Sequence, residues 1–193
     1  DSIITDDVHI REILIDPLGD DAGQESVILW NNDSAPASVG GWRLADGSLS
    51  TLYTFPDEYS MMPYTPYIIA LGEGEDIESE GQELSPTLLH TGSVQEHLLL
   101  SSGSLTLLGN QSSGTVIDFV AWGDGTGSPT TAEQQAVSAG QWTPGDYVDT
   151  SGGWLSEGEG LARTWGQDTN SSADFVDQPS VIINEIGLND AGY

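Results

Sequence analysis

The 193-residue chain carries 31 Asp and Glu against 3 Arg and no Lys, a formal net charge of −28 at pH 7. Such a surface repels nucleic-acid phosphates and anionic membranes, whose binding draws on Lys and Arg, so neither is an expected partner. Hydrophobic residues make up 37%, enough to build a core and too many for a disordered chain, and no apolar run reaches the roughly 20 residues that span a bilayer.

Short β-rich runs recur between Gly, Pro, Asn and Asp turns, the pattern of an all-β protein. In chain order the predicted strands are "VHIREILID" (8–16), "ESVILWN" (25–31), "GWRLAD" (41–46), "TLYTF" (51–55), "YIIAL" (67–71), "HLLL" (97–100), "SLTLLG" (104–109) and "TVIDFVAWG" (115–123). In the last, Ile117, Phe119 and Ala121 share one face and Val116, Asp118 and Val120 the other. "SVILW" is apolar without alternation, which predicts a strand buried on both faces. One short helix is predicted over 130–140, "TTAEQQAVSAG", with a Thr cap at its start and Gly140 at its end. Residues 72–86 form an acidic excursion read as a solvated loop, and 145–176 a long Gly-rich wrap with scattered aromatics.

The chain ends as it begins. "VIINEIGLND" (181–190) echoes "VHIREILIDP" (8–17), with Val181 on Val8, Ile183 on Ile10, Glu185 on Glu12, Ile186 on Ile13 and Leu188 on Ile15. Three organisations fit: the opening of a further repeat, an extra strand folded back in cis, or a strand donated to a neighbour, in or beside the place of that neighbour's first strand. The domain expectation is therefore an extension (1–7), a β-sandwich (8–177) and a C-terminal strand (178–193). The docking residues are Val181, Ile183, Ile186 and Leu188, received next to strands 8–16 or 25–31. The start at Asp1 fits a processed product or a trimmed piece.

Catalytic patterns are missing. His9, His90 and His97 have no zinc spacing and there is no Cys; no nucleophile elbow, phosphate loop or dinucleotide fingerprint occurs. His9 and His97 read as packing or edge residues. Calcium is the ligand that oxygen donors on turns suit best, at Asp16, Asp20, Asp21 and Glu25 or at Asp168, Asn170 and Asp174, with solvated acidic turns as the simpler alternative. No cofactor is required. Among six Trp, Trp42 and Trp122 read as core. Trp142, Trp154 and Trp165 form either a glycan-stacking platform or pins for the wrap. Sequons at Asn32, Asn110 and Asn170 mark candidate glycosylation sites of an exported protein. The acidity fits a halophilic, archaeal-type setting in concentrated salt or a calcium-rich exterior.

Five segments in order, "IREILIDPLGDDAGQESVILWN" (10–31), "VGGWRLADG" (39–47), "YTFP" (53–56), "LTLLGNQSSGTVIDFVAWG" (105–123) and "GEGLARTWGQDTNSSADFV" (158–176), resemble the lamin tail domain, also called the intermediate-filament tail domain, in its prokaryotic secreted form. The resemblance covers most of 8–177; Ile28 stands where the family's second strand often carries another acid, and 72–86 is extra. It implies an immunoglobulin-like β-sandwich and a non-catalytic module of secreted or surface proteins. The expected function is thus a non-enzymatic, extracellular structural subunit that forms a filament or surface layer with itself, or with neighbouring surface proteins, through terminal strands. The alternative is an adhesion module binding glycan or calcium within a longer tandem-repeat protein.

Overall fold

The computed structural model describes residues 7–19, 23–77, 87–92, 99–111, 114–152, 157–165 and 168–179. Within them lie β1 (Val8–Asp16), β2 (Ser26–Asn31), β3 (Ala37–Ser38), β4 (Arg43–Asp46), β5 (Thr51–Thr54), β6 (Ser60–Met61), β7 (Pro66–Ala70), β8 (Thr87–His90), β9 (Gly103–Leu108), β10 (Val116–Gly123), helix α1 (Thr131–Ala139), β11 (Val148–Asp149), β12 (Glu159–Arg163) and β13 (Phe175–Pro179). A six-stranded sheet runs β13–β12–β1–β2–β7–β8 and a five-stranded sheet β11–β10–β9–β4–β5, with β3–β6 a small ribbon between loops. Neighbours are antiparallel except β7–β8 and β10–β11. The immunoglobulin-like sandwich is thus the observed architecture.

Alternation explains the inner face. Leu161, Ile13, Val27, Ile69 and Leu89 stand in one cross-strand row over five strands, and all are buried. In β1 the buried positions Val8 and Ile10 give way to Ile13 and Ile15 because a bulge at Arg11 inserts one residue and resets the period. β10 is buried along its whole length, one face toward β1 and the other under α1, whose Ala132 and Ala136 lie in the core. The helix starts at the Thr130 cap, whose hydroxyl accepts the Glu133 amide, and stops at Gly140 in the left-handed region (φ 77°).

Several expectations are corrected. β2 alternates: Val27 and Leu29 point inward, while Ile28 and Trp30 are half-buried on the outer face. Its apolar outer positions meet apolar neighbours such as Ile68, which the absence of alternation had disguised as two-sided burial. Leu99 and Leu100 are not in a strand; Leu99 is buried and donates its amide to Glu25 Oε1 (2.9 Å), while His97 and Leu98 lie outside the described residues. The Gly-rich stretch read as a wrap supplies β11, β12, a 3-10 turn at Ser172–Asp174 and the first part of β13.

Gly160 explains why a Gly-rich segment makes a strand here. It faces Leu14 in the β1–β12 ladder, and a Cβ at this position would run into the Ile13 carbonyl. Gly160→Ala is expected to push β12 off β1 and destabilise the fold by about 1–3 kcal/mol. The check is a lower urea midpoint at an unchanged m value.

Candidate functional site

Arg163 ends β12 with its side chain between the sheets, 6% exposed. Its Nη2 lies 2.7 Å from each carboxylate oxygen of Asp118 on β10, and its Nε donates to the Ile10 carbonyl at 3.1 Å. Asp118 in turn accepts the Ile10 amide at 2.7 Å and that of Phe119 at 2.8 Å. Ile10, Asp118 and Arg163 therefore close a ring that ties β1, β10 and β12 across both sheets. The guanidinium also lies over Phe175 of β13, 4.5 Å from the ring centroid. On its far side Nη1 is 2.8 Å from Asp168 and 3.7 Å from Asp174.

The turn that carries these two acids is built by side chains. Asp174 accepts from the Thr169 amide and hydroxyl and from the Ser171 amide, and Asp168 accepts the Asn170 amide, with Asn170 left-handed at φ 55°. Ser172 donates its amide and hydroxyl to Asp146, which fixes the turn to the segment before β11. Burial pushes the Asp118 carboxyl up to about 6, opposed by the guanidinium and the two amides. Burial also works against Asp168, but Arg163 and the Asn170 amide outweigh it and hold this carboxyl below the usual range. His9, half-buried on β1, is lowered by burial and by Arg163; because β1 is an inner strand, it is a packing residue, not an edge one.

The predicted site residues separate. Asp168, Asn170 and Asp174 do meet, but around the cation of Arg163. Glu25 is fully buried and takes the Leu99 amide; Asp16 ends β1, and Asp20 and Asp21 lie outside the described residues. Among the described residues no three His, Asp or Glu side chains converge as metal ligands. Trp42 and Trp122 are core, as expected. Trp142 is buried too, edge-on to Phe119 with its indole N–H on the Asp146 carbonyl, so it cannot share a platform with Trp165, which is 75% exposed; Trp154 lies outside the described residues. Asn32 and Asn110 are exposed and Asn170 is half-buried. His90 sits 3.4 Å from Asp76. Val181, Ile183, Ile186 and Leu188 lie outside the described residues. Their expected receiving groove is corrected: β1 is paired on both sides by β12 and β2, and β2 by β1 and β7, so no vacant ladder flanks either strand.

An open cleft of about 350 Å³ lies at the ends of β9 and β10, lined by Ser104, Trp122, Asp124, Thr126, Glu133 and Tyr147 among others. Its carboxylates are engaged, Asp124 by Thr126 and Glu133 by the Tyr147 hydroxyl.

A family model of the lamin tail domain matches residues 4–124, from just ahead of β1 through β10. The chain belongs to the lamin tail domain family. The match holds β1, β2, β4, β9 and β10, hence Asp118 and the Ile10 peptide, whereas Arg163 and Phe175 lie beyond it. No curated protein matches the chain. The family's domain is of a structural, immunoglobulin-like type, and the site that organises this member is an internal clamp.

Residue 163 was missed as a site because a lone Arg between Ala and Thr carries no motif; the available signal was Asp118, one carboxylate in an otherwise apolar strand. Asp118→Asn is expected to cost about 3–5 kcal/mol by leaving a buried cation short of its partner. With Arg163→Met and the double variant it forms a cycle whose coupling should exceed about 1 kcal/mol, read by urea unfolding.

The pH dependence has a definite sign. Between about pH 6 and the unfolded value of 3.8, the folded protein holds a proton on Asp118 that the unfolded chain releases. Its contribution to stability therefore grows as pH falls through that window and is lost as pH rises. Asp168 acts oppositely, losing its contribution only below 3.8. Unfolding curves at pH 7 and pH 5 should show a larger gain on acidification in the wild type than in Asp118→Asn; equal gains would remove Asp118 as the titrating group.

Proposed function

We propose that this chain is a non-enzymatic, extracellular structural subunit that joins its neighbours by β-strand addition through residues 181–190. The observation that carries the reading is that the echo of β1, residues 181–190, follows directly in sequence on a strand at a sheet margin. β13 is the margin of the six-stranded sheet among the described residues, and it stays paired with β12 as far as Pro179. Only Ser180 separates it from Val181, one residue fewer than the tightest hairpin loop needs. A segment that echoes β1 in sequence is fitted to pair along a sheet edge, where its backbone groups find partners. A sheet edge on a second copy supplies them, and contacts of this head-to-tail kind grow into open polymers.

Location and setting rest on chemistry. The charge of −28 keeps single modules apart until salt screens them, and the exposed sequons at Asn32 and Asn110 fit export. Calcium as a bridging ion between acidic faces belongs to the same reading. One observation favours a second reading. Because the segment resembles β1, and β1 is an inner strand here, it has the character of a strand that opens a further module of a tandem surface protein.

The test compares the full chain with one ending at Pro179, in concentrated salt, by light scattering and negative-stain microscopy. Concentration-dependent rods from the full chain alone are the expected result. Two monomers would sink strand donation and leave the tandem reading.

A further inference from the structure

We propose that the outer face of the six-stranded sheet at Trp165 is a contact between two copies of this chain, paired about a two-fold axis. The inference extends the assembly reading above, adding a lateral contact to the terminal one. Trp165 follows β12 and is 75% exposed, yet it is held in place. The Arg11 guanidinium lies 3.9 Å from its ring centroid, Trp30 meets it edge-on at 5.9 Å and 87°, and Arg11 is itself tied to the Thr164 carbonyl at 3.3 Å. An exposed indole that is already ordered loses little conformational freedom when a partner covers it. Trp and Arg are also the side chains that most often dominate interfaces. The apolar surface continues to Val176, 46% exposed, which the register places on the same face through Glu12, Ala162 and Val176.

Charge identifies the occupant. Of the three Arg in the chain, Arg163 is buried, which leaves Arg11 and Arg43 to meet the outside. A second copy offers carboxylates on almost any face, and this face carries its own, Glu12, next to Arg11. Turned about a two-fold axis, the patch is self-complementary: Arg11 of each copy meets Glu12 of the other while the indoles stack at the centre. An anionic polymer or membrane finds one cation here among many acids and is repelled.

The experiment uses the full chain in about 1 M NaCl, where the Debye length is about 3 Å, from micromolar to several hundred micromolar. Sedimentation equilibrium and negative-stain images report side-by-side pairing, of monomers or of rods. Trp165→Ser should weaken pairing at least about tenfold with the thermal midpoint nearly unchanged, because the side chain is exposed. Arg11→Glu and Glu12→Arg should each weaken it, and the two together should restore it, as a contact that pairs Arg11 of one copy with Glu12 of the other requires. Iodide quenching of indole fluorescence should fall with concentration in the wild type and not in Trp165→Ser. Unchanged pairing in Trp165→Ser, or no recovery in the charge-swapped double variant, would overturn the proposal. Rod formation reports on residues 181–190 and pairing on Trp165, so either reading can fail without the other.

Discussion

One buried guanidinium holds the two sheets in register. An ion pair in a protein interior commonly contributes no more than a well-packed apolar pair, because two charges must leave water. The reason for it here lies in the backbone of Ile10. The bulge at Arg11 takes β1 out of simple alternation, and the Ile10 amide and carbonyl are both bonded by side chains. Ile10 is fully buried, so water cannot replace those partners, and unpaired groups would each cost about 1–3 kcal/mol. Asp118 supplies the acceptor and Arg163 the donor. Their mutual contact then offsets part of the cost of burying each charge, with burial still the larger influence on the Asp118 carboxyl. Two apolar side chains could fill the same volume but could not serve the bulge.

The same cluster explains the C-terminal third of the fold. Among the described residues β12 and β13 make one margin of the six-stranded sheet, and each sends one large apolar side chain, Leu161 and Phe175, into the core. Arg163 anchors β12 inward, stacks on Phe175 of β13 and gathers Asp168 and Asp174, so that one cation positions two strands and the turn between them. This arrangement also places two of the three Arg on opposite faces of one sheet, Arg163 inside and Arg11 outside against Trp165. In a chain so poor in cations, both are spent on fixing geometry.

The sandwich was legible wherever burial is one-sided and strands are long. β1, β9 and β10, and the capped helix, follow from alternation, β-branched residues and turn chemistry within about a residue at most ends. Legibility failed for three physical reasons. β2 lost its alternation because its outer face is also apolar, so periodicity overstated its burial. β11, β12 and β13 are short, five residues at most, and sit in or just after a Gly-rich stretch, and their stability comes from ladder partners and from Arg163, neither of which leaves a local pattern. The clamp joins positions 10, 118 and 163, which no spacing rule connects. Trp142 and Trp165 were indistinguishable as letters in a Gly-rich stretch, and only the fold buries one and exposes the other.

Edges and exposed aromatics are where a stable sandwich meets its neighbours, and the sequence treats them differently. The described edge strands are short: five residues in β13, four each in β5 and β8, two in β11, with Pro179 ending β13. Short edges limit indiscriminate sheet-to-sheet pairing, and a charge of −28 adds long-range repulsion. Against that background an ordered, exposed indole backed by a scarce cation stands out among the described residues, and the β1-like run 181–190 stands out in the sequence. They also differ in symmetry. A donated strand is directional and repeats by translation, whereas a patch that carries both Arg11 and Glu12 closes on itself. A translational contact combined with one two-fold contact generates a paired, antiparallel filament. Salt sets the range at which such modules approach, and the internal clamp ties β1, β12 and β13, the strands around the Trp165 face, to the opposite sheet.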